Sequence, residues 1–357
     1  MIIDIIKIME KSIKKTLLRI KKEQKTRKYI CFDDYFIEKI KKDLIKITGI
    51  KTIEITIPPE HIKADLSMAV FGLPADDIVG AINKSKSSFM ESAQSIGPYI
   101  NLSLNKNYVY NAVLNEISRL NNQYGKSDIN KNKIALIDYS SPNIAKPMGV
   151  GHLRSTIIGQ ALANIYETTG FGVIKDNHLG DWGTQFGKLI YAYQKWGSKE
   201  KISENPMKEL NDLYVKFNKE AEINPELDEK AREFFQKLER GDKRLINLWR
   251  KFSKLSVKEF NKTYKKLGVD FDTYIGESYF ASEADQEVKG ALKKGIARKD
   301  SATGAVIVDS LGVPSFLLQK QDGSTLYITR DIATLRFRIK TFKPDIILYV
   351  VGQEQTL

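Results

Sequence analysis

Residues 134–156 have the sequence IALIDYSSPNIAKPMGVGHLRST, and this stretch decides the fold. Its first five residues, 134–138, form a short apolar run that is typical of a buried parallel strand. A loop with two prolines follows, and the pattern then predicts a helix from about Gly151 to Thr168. Val173-Ile174 resumes a strand. These segments predict one βαβ unit of a doubly wound parallel sheet, an α/β fold.

The segment before this unit has the pattern of a separate, smaller domain. Residues 1 to about 46 show the apolar spacing of helices, and residues 53–57 and 99–104 alternate as half-buried strands. The polar stretch at 121–132 has the composition of a linker. We therefore expect a small α+β N-terminal domain at 1–120, a linker at 121–132 and a second domain at 133–357.

The second domain is interrupted by a long insertion, which we place at about 198–325. Its first part, 203–267, is charged and predicted to be helical, and its last part contains two short apolar strands. The turn at Asp322-Gly323 leads to Leu326-Tyr327-Ile328, and a helix is predicted from about Asp331. A buried strand at 346–351 returns to the sheet.

Composition limits the classes of function. Lys and Arg total 57 against 44 Asp and Glu, and a net charge of +13 favours a polyanionic partner such as nucleic acid, although paired lysines are also typical of solvated helix faces. A single cysteine, Cys31, excludes an internal disulfide framework and a multi-thiolate metal cluster. No apolar run approaches the roughly 20 residues of a membrane span, so we expect a soluble cytoplasmic protein.

The Gly-His pair at 151–152 lies where a strand's carboxyl end turns into a helix. Such a turn offers unpaired N–H groups and a positive dipole end to phosphate oxygens. Gly151 has no side chain, so an adenine ring would fit against its backbone, and His152 would donate a hydrogen bond to the α-phosphate. Lys146 is a candidate ligand of the β- and γ-phosphates, with a solvated loop lysine as the equal alternative.

The extended string resembles the class I aminoacyl-tRNA synthetases, and SSPNIAKPM followed by VGHLRST is similar to the arginyl enzymes in particular. Three further segments resemble the same family: NHLGDWGTQFG at 177–187, YITRD at 327–331 and YVVGQEQ at 349–355. Residues 57–72 and 97–101 resemble the family's appended N-terminal domain, which contacts the tRNA elbow.

The resemblance implies a Rossmann-like doubly wound parallel sheet of the class I synthetases, with an incomplete second half. It implies ATP-dependent activation of L-arginine to arginyl-adenylate and transfer to the 3′-terminal adenosine of tRNA(Arg). Mg²⁺ would accompany ATP, with no permanently bound metal, and the protein would be a monomer without a membrane partner. His152 and Lys146 would be catalytic. The implied ATP-binding residues are Gly149, Gly151, His152 and Lys146.

The family's arginine pocket is implied, residue by residue, at Asp138, Ser141, Asn143, His152, Tyr327, Asp331 and Gln355. A guanidinium is a rigid fork of five donors, which Asp331 would meet bidentately while Tyr327 and Asp138 take the remaining donors. Asp331 is also placed where a helix N-terminal charge would stand, which is its alternative role. His178 and Asp181 lie near the expected ribose position without an assigned role.

The chain departs from the family pattern at two points. Gly149 occupies the position of the first histidine in the family's His-x-Gly-His signature, so one phosphate-contacting imidazole is absent. The sequence ends at Leu357, and we expect a C-terminally truncated fragment that is inactive alone. The alternative is a non-catalytic tRNA- or arginine-binding module derived from such an enzyme. A small-molecule nucleotidylyltransferase ranks last, because it leaves the N-terminal domain and the insertion unexplained.

Overall fold

The structure, a computed structural model, describes residues 2–26, 32–85, 87–309 and 315–352. The chain divides into two compact units. The larger unit contains residues 1–25, 131–167 and 171–357, and the smaller unit contains residues 26–130 and 168–170. Within the described ranges, no helix combines the length and the apolar character needed to cross a bilayer.

Helix α1 (Ile2–Thr26) packs within the larger unit. Ile13 and Ile20 are buried in a cluster that also contains residues of the central sheet, and Arg19 forms an ion pair of 2.9 Å with Asp272. The compact units therefore divide the chain differently from the domain predicted at 1–120. The apolar spacing of a helix predicts its buried face but not the partner of that face.

The smaller unit is an α+β module. Its elements in chain order are α2 (Phe32–Thr48), β1 (Ile55–Thr56), β2 (Leu66–Ala69), α3 (Ala75–Lys84), β3 (Met90–Ile96), β4 (Tyr99–Leu104) and α4 (Lys106–Leu120). The four strands form an antiparallel sheet in the order β1-β2-β4-β3. Ile40 and Leu44 of α2 and Ile82 of α3 are buried in one core with Met68 and Ile100 of the sheet.

The larger unit begins its sheet with the predicted βαβ unit: β5 (Ile134–Asp138), α5 (Val150–Thr168) and β6 (Gly172–Asp176). Strands β5 and β6 pair in parallel, with Ala135, Leu136 and Ile137 fully buried. The predicted crossover unit is confirmed, because an apolar run of this length finds full burial only inside a covered parallel sheet.

The long insertion consists of helices followed by a small sheet. Helix α6 (Thr184–Trp196) leads into it, and its own elements are α7 (Lys199–Glu204), α8 (Pro206–Ile223), α9 (Glu226–Glu239), α10 (Lys243–Leu267), α11 (Ala281–Lys293), β7 (Arg298–Lys299), β8 (Val306–Val308) and β9 (Phe316–Gln319). The three strands pair antiparallel in the order β7-β8-β9. Trp249, Phe252 and Phe260 lie on the buried side of α10.

The chain returns to the central sheet through α12 (Tyr327–Phe342) and β10 (Ile346–Tyr349). Strand β10 pairs with β5 in parallel, giving the order β10-β5-β6. Tyr327 is thus the first residue of a helix, and the prediction that this helix starts near Asp331 was wrong by one turn. The residue before the helix, Leu326, makes no side-chain cap, so the sequence carries no capping signal at the true start.

Candidate active site

The carboxyl ends of the three parallel strands carry polar residues in one row. Tyr349 of β10 is in register with Asp138 of β5, which is in register with Asp176 of β6. Both aspartates are buried. Aligned residues of neighbouring parallel strands point to the same face, so the two carboxylates are neighbours at the edge where doubly wound sheets bind ligands.

The loop after β5 is held in an unusual conformation. Ser140 and Ser141 have φ values of +73° and +44°, in the left-handed region that costs non-glycine residues free energy. The Ser141 hydroxyl donates to Asp138 Oδ1 at 2.9 Å, and Ser140 Oγ lies 2.7 Å from the hydroxyl of Tyr264. These side-chain bonds compensate for the strained backbone and fix the loop next to the strand end.

The same loop is tied to the loop after β6. Gly180 N–H donates to the carbonyl of Pro142 at 3.2 Å, and Ile144 N–H donates to the carbonyl of Gly180 at 3.1 Å. A side chain at Gly180 would overlap Oδ1 of Asn143, so only glycine fits there. The predicted site residues Ser141 and Asn143 therefore belong to one cross-linked pair of loops.

Gly149, Gly151 and His152 form the start of α5. The Gly149 N–H donates to His152 Nδ1 at 3.1 Å. Because an amide N–H only donates, Nδ1 is unprotonated, and the neutral imidazole carries its proton on Nε2. A Cβ placed on Gly151 would meet nothing within 4 Å, which leaves open space over the backbone of the first turn. A flat ring would fit in this space, and a phosphate beside it would meet the Nε2–H of His152 and a helix N-terminus.

Lys146 points toward the insertion. Its Nζ lies 4.9 Å from the ring centroid of Tyr214 on α8, a cation–π contact. Gln185, Phe186 and Leu189 of α6 line the same small cavity. The ammonium group is thus engaged by an aromatic ring, and a role at phosphates requires it to leave that ring.

The start of α12 presents Tyr327 and Asp331. Tyr327 is well exposed. Solvent also reaches Asp331, yet enough protein surrounds its carboxyl for desolvation to raise the pKa; nearby Glu277 raises the pKa further, while His178 lowers it. Among the described residues, no hydrogen bond or ion pair engages this carboxylate, whereas Glu277 is paired with Arg330 at 3.1 Å. Asp331 is therefore a solvent-accessible carboxylate that makes no ion pair with a described residue.

His178 and Asp181 follow β6. His178 Nδ1 lies 2.8 Å from the carbonyl of Ile275, which only accepts, so the proton is on Nδ1. Its buried Nε2 has no partner in the described part of the chain. Asp181 accepts hydrogen bonds from the backbone N–H and the hydroxyl of Ser278, and burial raises its pKa to about 6. Asp181 thus holds the turn at 277–280.

Sequence reasoning missed Arg338. This residue of α12 is only 1% exposed, and its Nη2 donates to Asp138 Oδ2 at 2.7 Å and to Asp176 Oδ2 at 2.6 Å. Asp138, which we predicted as a ligand of a bound guanidinium, is thus engaged by the protein's own guanidinium. The missed signal was the pair of aspartates that end two adjacent strands, because two buried carboxylates side by side require a cation.

Two further predictions concern Gln355 and metal binding. Gln355, the last predicted arginine ligand, lies outside the described residues. In the part of the chain that the structure describes, no group of three or more His, Cys, Asp or Glu side chains is arranged to hold a metal ion. The candidate site thus consists of the start of α5, the loop after β5 and the start of α12.

The parallel sheet, the glycine-containing turn at the start of α5 and the loop after β5 define an α/β protein with the architecture of the class I synthetases. The family model described as "tRNA synthetases class I (R), catalytic domain" matches residues 113–357. The chain belongs to this family.

Two curated relatives are named arginine–tRNA ligase. That of Streptococcus mutans is 42% identical over 310 residues, which is 84% of this chain and 54% of the relative. That of Halothermothrix orenii is 40% identical over 340 residues, which is 92% of this chain and 60% of the relative. The chain therefore spans little more than half of the length of these relatives.

Two solved structures share the fold. The arginyl-tRNA synthetase of Plasmodium falciparum superposes with a TM-score of 0.56 at 24% identity, covering 89% of this chain and 59% of that one. The arginyl-tRNA synthetase of Thermus thermophilus gives a TM-score of 0.56 at 21% identity, covering 85% of this chain and 53% of that one. The Rossmann-like α/β architecture predicted from the sequence is confirmed.

Proposed function

We propose that this chain carries the arginine- and ATP-binding site of an arginine–tRNA ligase. The reaction would activate L-arginine with ATP and transfer it to the 3′-terminal adenosine of tRNA(Arg). The observation that carries the proposal is the unpaired carboxylate of Asp331. It makes no hydrogen bond or ion pair with a described residue, its pKa is raised by partial desolvation, and it lies in the first turns of the helix that returns to the strand ends.

The guanidinium of arginine would bind Asp331. A carboxylate accepts two parallel N–H bonds from the planar fork, and such a pair is stronger than one between neutral groups. The exposed Tyr327 lies one helical turn earlier, where its hydroxyl would take another donor. Lysine has no such fork, so the site would reject it. Ser141 and Asn143, held by the cross-linked loops, would take the other end of the amino acid, together with Gln355.

ATP would bind at the start of α5, with its adenine ring over Gly151. A carboxylate oxygen of arginine would attack the α-phosphorus, and the bond to pyrophosphate would break. His152 Nε2–H would donate to the α-phosphate as negative charge develops there. Mg²⁺ would accompany ATP and share the charge of the phosphates. Lys146 would leave the ring of Tyr214 and neutralise charge on the departing pyrophosphate.

The smaller unit would contact tRNA. Phe71 and Tyr99 are 70% and 45% exposed, and their rings form an edge-to-face pair with centroids 5.7 Å apart. Exposed aromatic rings stack on unpaired bases, and the net charge of +13 favours a polyanion.

The 2′-hydroxyl of the terminal adenosine of the bound tRNA would then attack the activated carbonyl and release AMP. We further propose a cytoplasmic monomer, for which the single cysteine Cys31 is the supporting observation on the compartment.

A second candidate is a non-catalytic arginine- or tRNA-binding module, and Gly149 is the observation that favours it. The first imidazole of the family signature is missing at this position, and one donor fewer at the α-phosphate would slow adenylation on the order of 10²-fold. Both candidates require the arginine pocket. They differ in whether the turn at residues 149–152 promotes the reaction of bound ATP with arginine.

Calorimetric titration of L-arginine into the 357-residue chain tests the shared core of the proposal. We expect wild type to bind and Asp331→Asn to lose at least about tenfold in affinity, because hydrogen bonds to charged groups contribute about 1.5–3 kcal/mol. Asp285→Asn on α11 removes an exposed carboxylate of the same unit and is expected to bind like wild type. Equal binding by Asp331→Asn and wild type would refute the assignment of the pocket.

A further inference from the structure

We propose that Arg338 is a positioning residue of the arginine pocket. Its guanidinium holds the strand-end carboxylates and the helix that bears Asp331 in the geometry that a free arginine requires. The inference rests on the proposed function, since it concerns how this chain prepares the same pocket.

Arg338 contacts all three strands of the parallel sheet at one row. It bridges Asp138 and Asp176 through Nη2, and its Nε donates to Asp176 Oδ2 at 3.0 Å. The ring of Tyr349, the next residue in the row, lies 5.2 Å from the guanidinium carbon. One side chain therefore fixes the carboxyl edge of β10, β5 and β6 together.

The remaining acceptors of this network are also satisfied. Asp138 Oδ1 accepts from Ser141, and Asp176 Oδ1 accepts from the hydroxyl of Thr273 at 2.6 Å. Each of the four carboxylate oxygens thus has a donor. A buried network in which every member is paired is rigid, whereas a partly paired one is costly. Rigidity at this edge is what a binding site for a planar ligand needs.

The hydrogen-bond network around Arg338 connects the two parts of the proposed pocket, which are Asp331 on α12 and Ser141 in the loop after β5. Arg338 lies about two helical turns after Asp331 on α12, so the two residues share one side of the helix. Anchoring Arg338 therefore fixes the rotation and the height of Asp331 relative to the strand ends. At the other end, Asp138 holds Ser141 in its left-handed conformation.

Arg338 also determines where a ligand guanidinium binds. Without it, Asp138 and Asp176 would be the strongest site for a cation in this region. With both engaged, neither strand-end carboxylate has a lone cation site left, whereas no described residue pairs with Asp331, which favours Asp331 as the place where a free arginine binds. The internal arginine thus contributes to the selectivity of the pocket for a second one.

Arg338→Lys is the informative variant because it keeps the charge that the buried aspartates need. The ammonium is a point charge that cannot reproduce the fork over two carboxylates. We expect Arg338→Lys to fold, to melt at a lower temperature, and to bind L-arginine 10- to 100-fold more weakly while its Kd for ATP changes less than threefold. Arg336→Lys is the matched control: this exposed arginine of the same helix pairs with Glu287, and we expect neither Kd to change.

A double variant separates positioning from simple charge neutralisation. Asp176→Asn in the Arg338→Lys background leaves one carboxylate for one ammonium. We expect it to regain thermal stability and not to regain arginine affinity, because the fork is still missing.

Calorimetry of these four proteins with L-arginine and with ATP gives distinct outcomes. An arginine-specific loss in Arg338→Lys that the double variant does not reverse supports positioning. Equal losses for arginine and ATP, recovery of arginine affinity in the double variant, or wild-type affinity in Arg338→Lys each overturns it. If wild type itself binds no arginine, the proposed function fails, and the role of Arg338 fails with it.

Discussion

The backbone N–H of Gly149 donates a hydrogen bond to Nδ1 of His152, with 3.1 Å between the nitrogens. This bond places the proton of the neutral imidazole on Nε2, where it is available to a phosphate oxygen. The glycine that departs from the family signature therefore still prepares the histidine that is retained. It does so with its backbone, which any residue at 149 would also provide.

Restoring the missing imidazole is therefore expected to fit. In Gly149→His, a Cβ would meet only His152 Nδ1, at 3.8 Å, and the backbone is not in the left-handed region. We predict unchanged thermal stability and about 3- to 10-fold tighter binding of Mg²⁺-ATP, the contribution of one added hydrogen bond. Equilibrium dialysis measures the affinity.

Val150→His is the matched control for that prediction. Val150 is 75% exposed, so an imidazole there would be largely surrounded by solvent. We expect no gain in ATP affinity from it. An equal gain from both variants would mean a nonspecific charge effect and would count against the assignment of this turn.

The close packing of α5 against Tyr139, the residue after β5, leads to a second prediction. A methyl group at Gly159 would overlap the ring of Tyr139, which is 1% exposed. We therefore expect Gly159→Ala to destabilise the chain by about 1–3 kcal/mol or more, the cost of overpacking a core. Urea unfolding measures the change.

Gly290→Ala is expected to change the free energy of unfolding in the opposite direction from Gly159→Ala in the same urea assay. Gly290 lies inside α11, and a methyl group there would meet nothing within 4 Å. The helix propensity of alanine is expected to stabilise the chain by up to about 1 kcal/mol. Destabilisation by both variants, or by neither, would contradict the packing described for α5.

The buried carboxyl of Asp181 predicts a pH dependence of stability. Burial raises its pKa to about 6 from an ordinary value of 3.8, so the folded chain binds more protons than the unfolded chain between these values. The free energy of unfolding therefore falls as pH rises from about 4 to 6, by up to about 3 kcal/mol from this group. Asp181→Asn keeps partners for Ser278 and removes the titration.

Urea unfolding of Asp181→Asn and wild type at pH 4.5 and pH 7 tests this. We expect the variant to gain stability relative to wild type as pH rises, and Asp285→Asn to show no such gain. A difference between variant and wild type that is the same at both pH values would show that Asp181 does not titrate in this window.

The exposed ring pair of the smaller unit predicts a contribution to tRNA binding. Removing one stacking ring costs about 1–3 kcal/mol per base, so Phe71→Ala and Tyr99→Ala should each weaken tRNA(Arg) binding by roughly 5- to 150-fold. Fluorescence anisotropy at one fixed salt concentration measures the affinity. Tyr110→Ala, which removes another exposed ring from α4, is expected to have no effect. Equal losses from all three would contradict a specific role for the Phe71–Tyr99 pair.

Much of the fold followed from local patterns. The apolar run at 134–138 and the glycine-rich turn before α5 each express one physical requirement, full burial in one case and close backbone approach in the other. The start of α12 was misplaced because Leu326 carries no capping side chain, while Asp331 resembles a helix-start residue.

The rest depended on contacts between distant residues. No local signal says that Arg338 neutralises Asp138, since the two are 200 residues apart in sequence. The periodicity of α1 likewise predicts an apolar face without indicating the sheet that covers it. Lys146 was assigned by chemistry alone, and the aromatic ring that engages it, Tyr214, belongs to the insertion.

Competition between L-arginine and L-citrulline for the 357-residue chain tests the central claim most directly. Citrulline has the length and shape of arginine, but its ureido group is uncharged and offers fewer donors to Asp331. We predict that citrulline binds at least about 10²-fold more weakly, because the uncharged ureido group cannot form the charge-assisted, bidentate pair that a guanidinium forms with a carboxylate. Equal dissociation constants for the two ligands would contradict recognition of a guanidinium at this site.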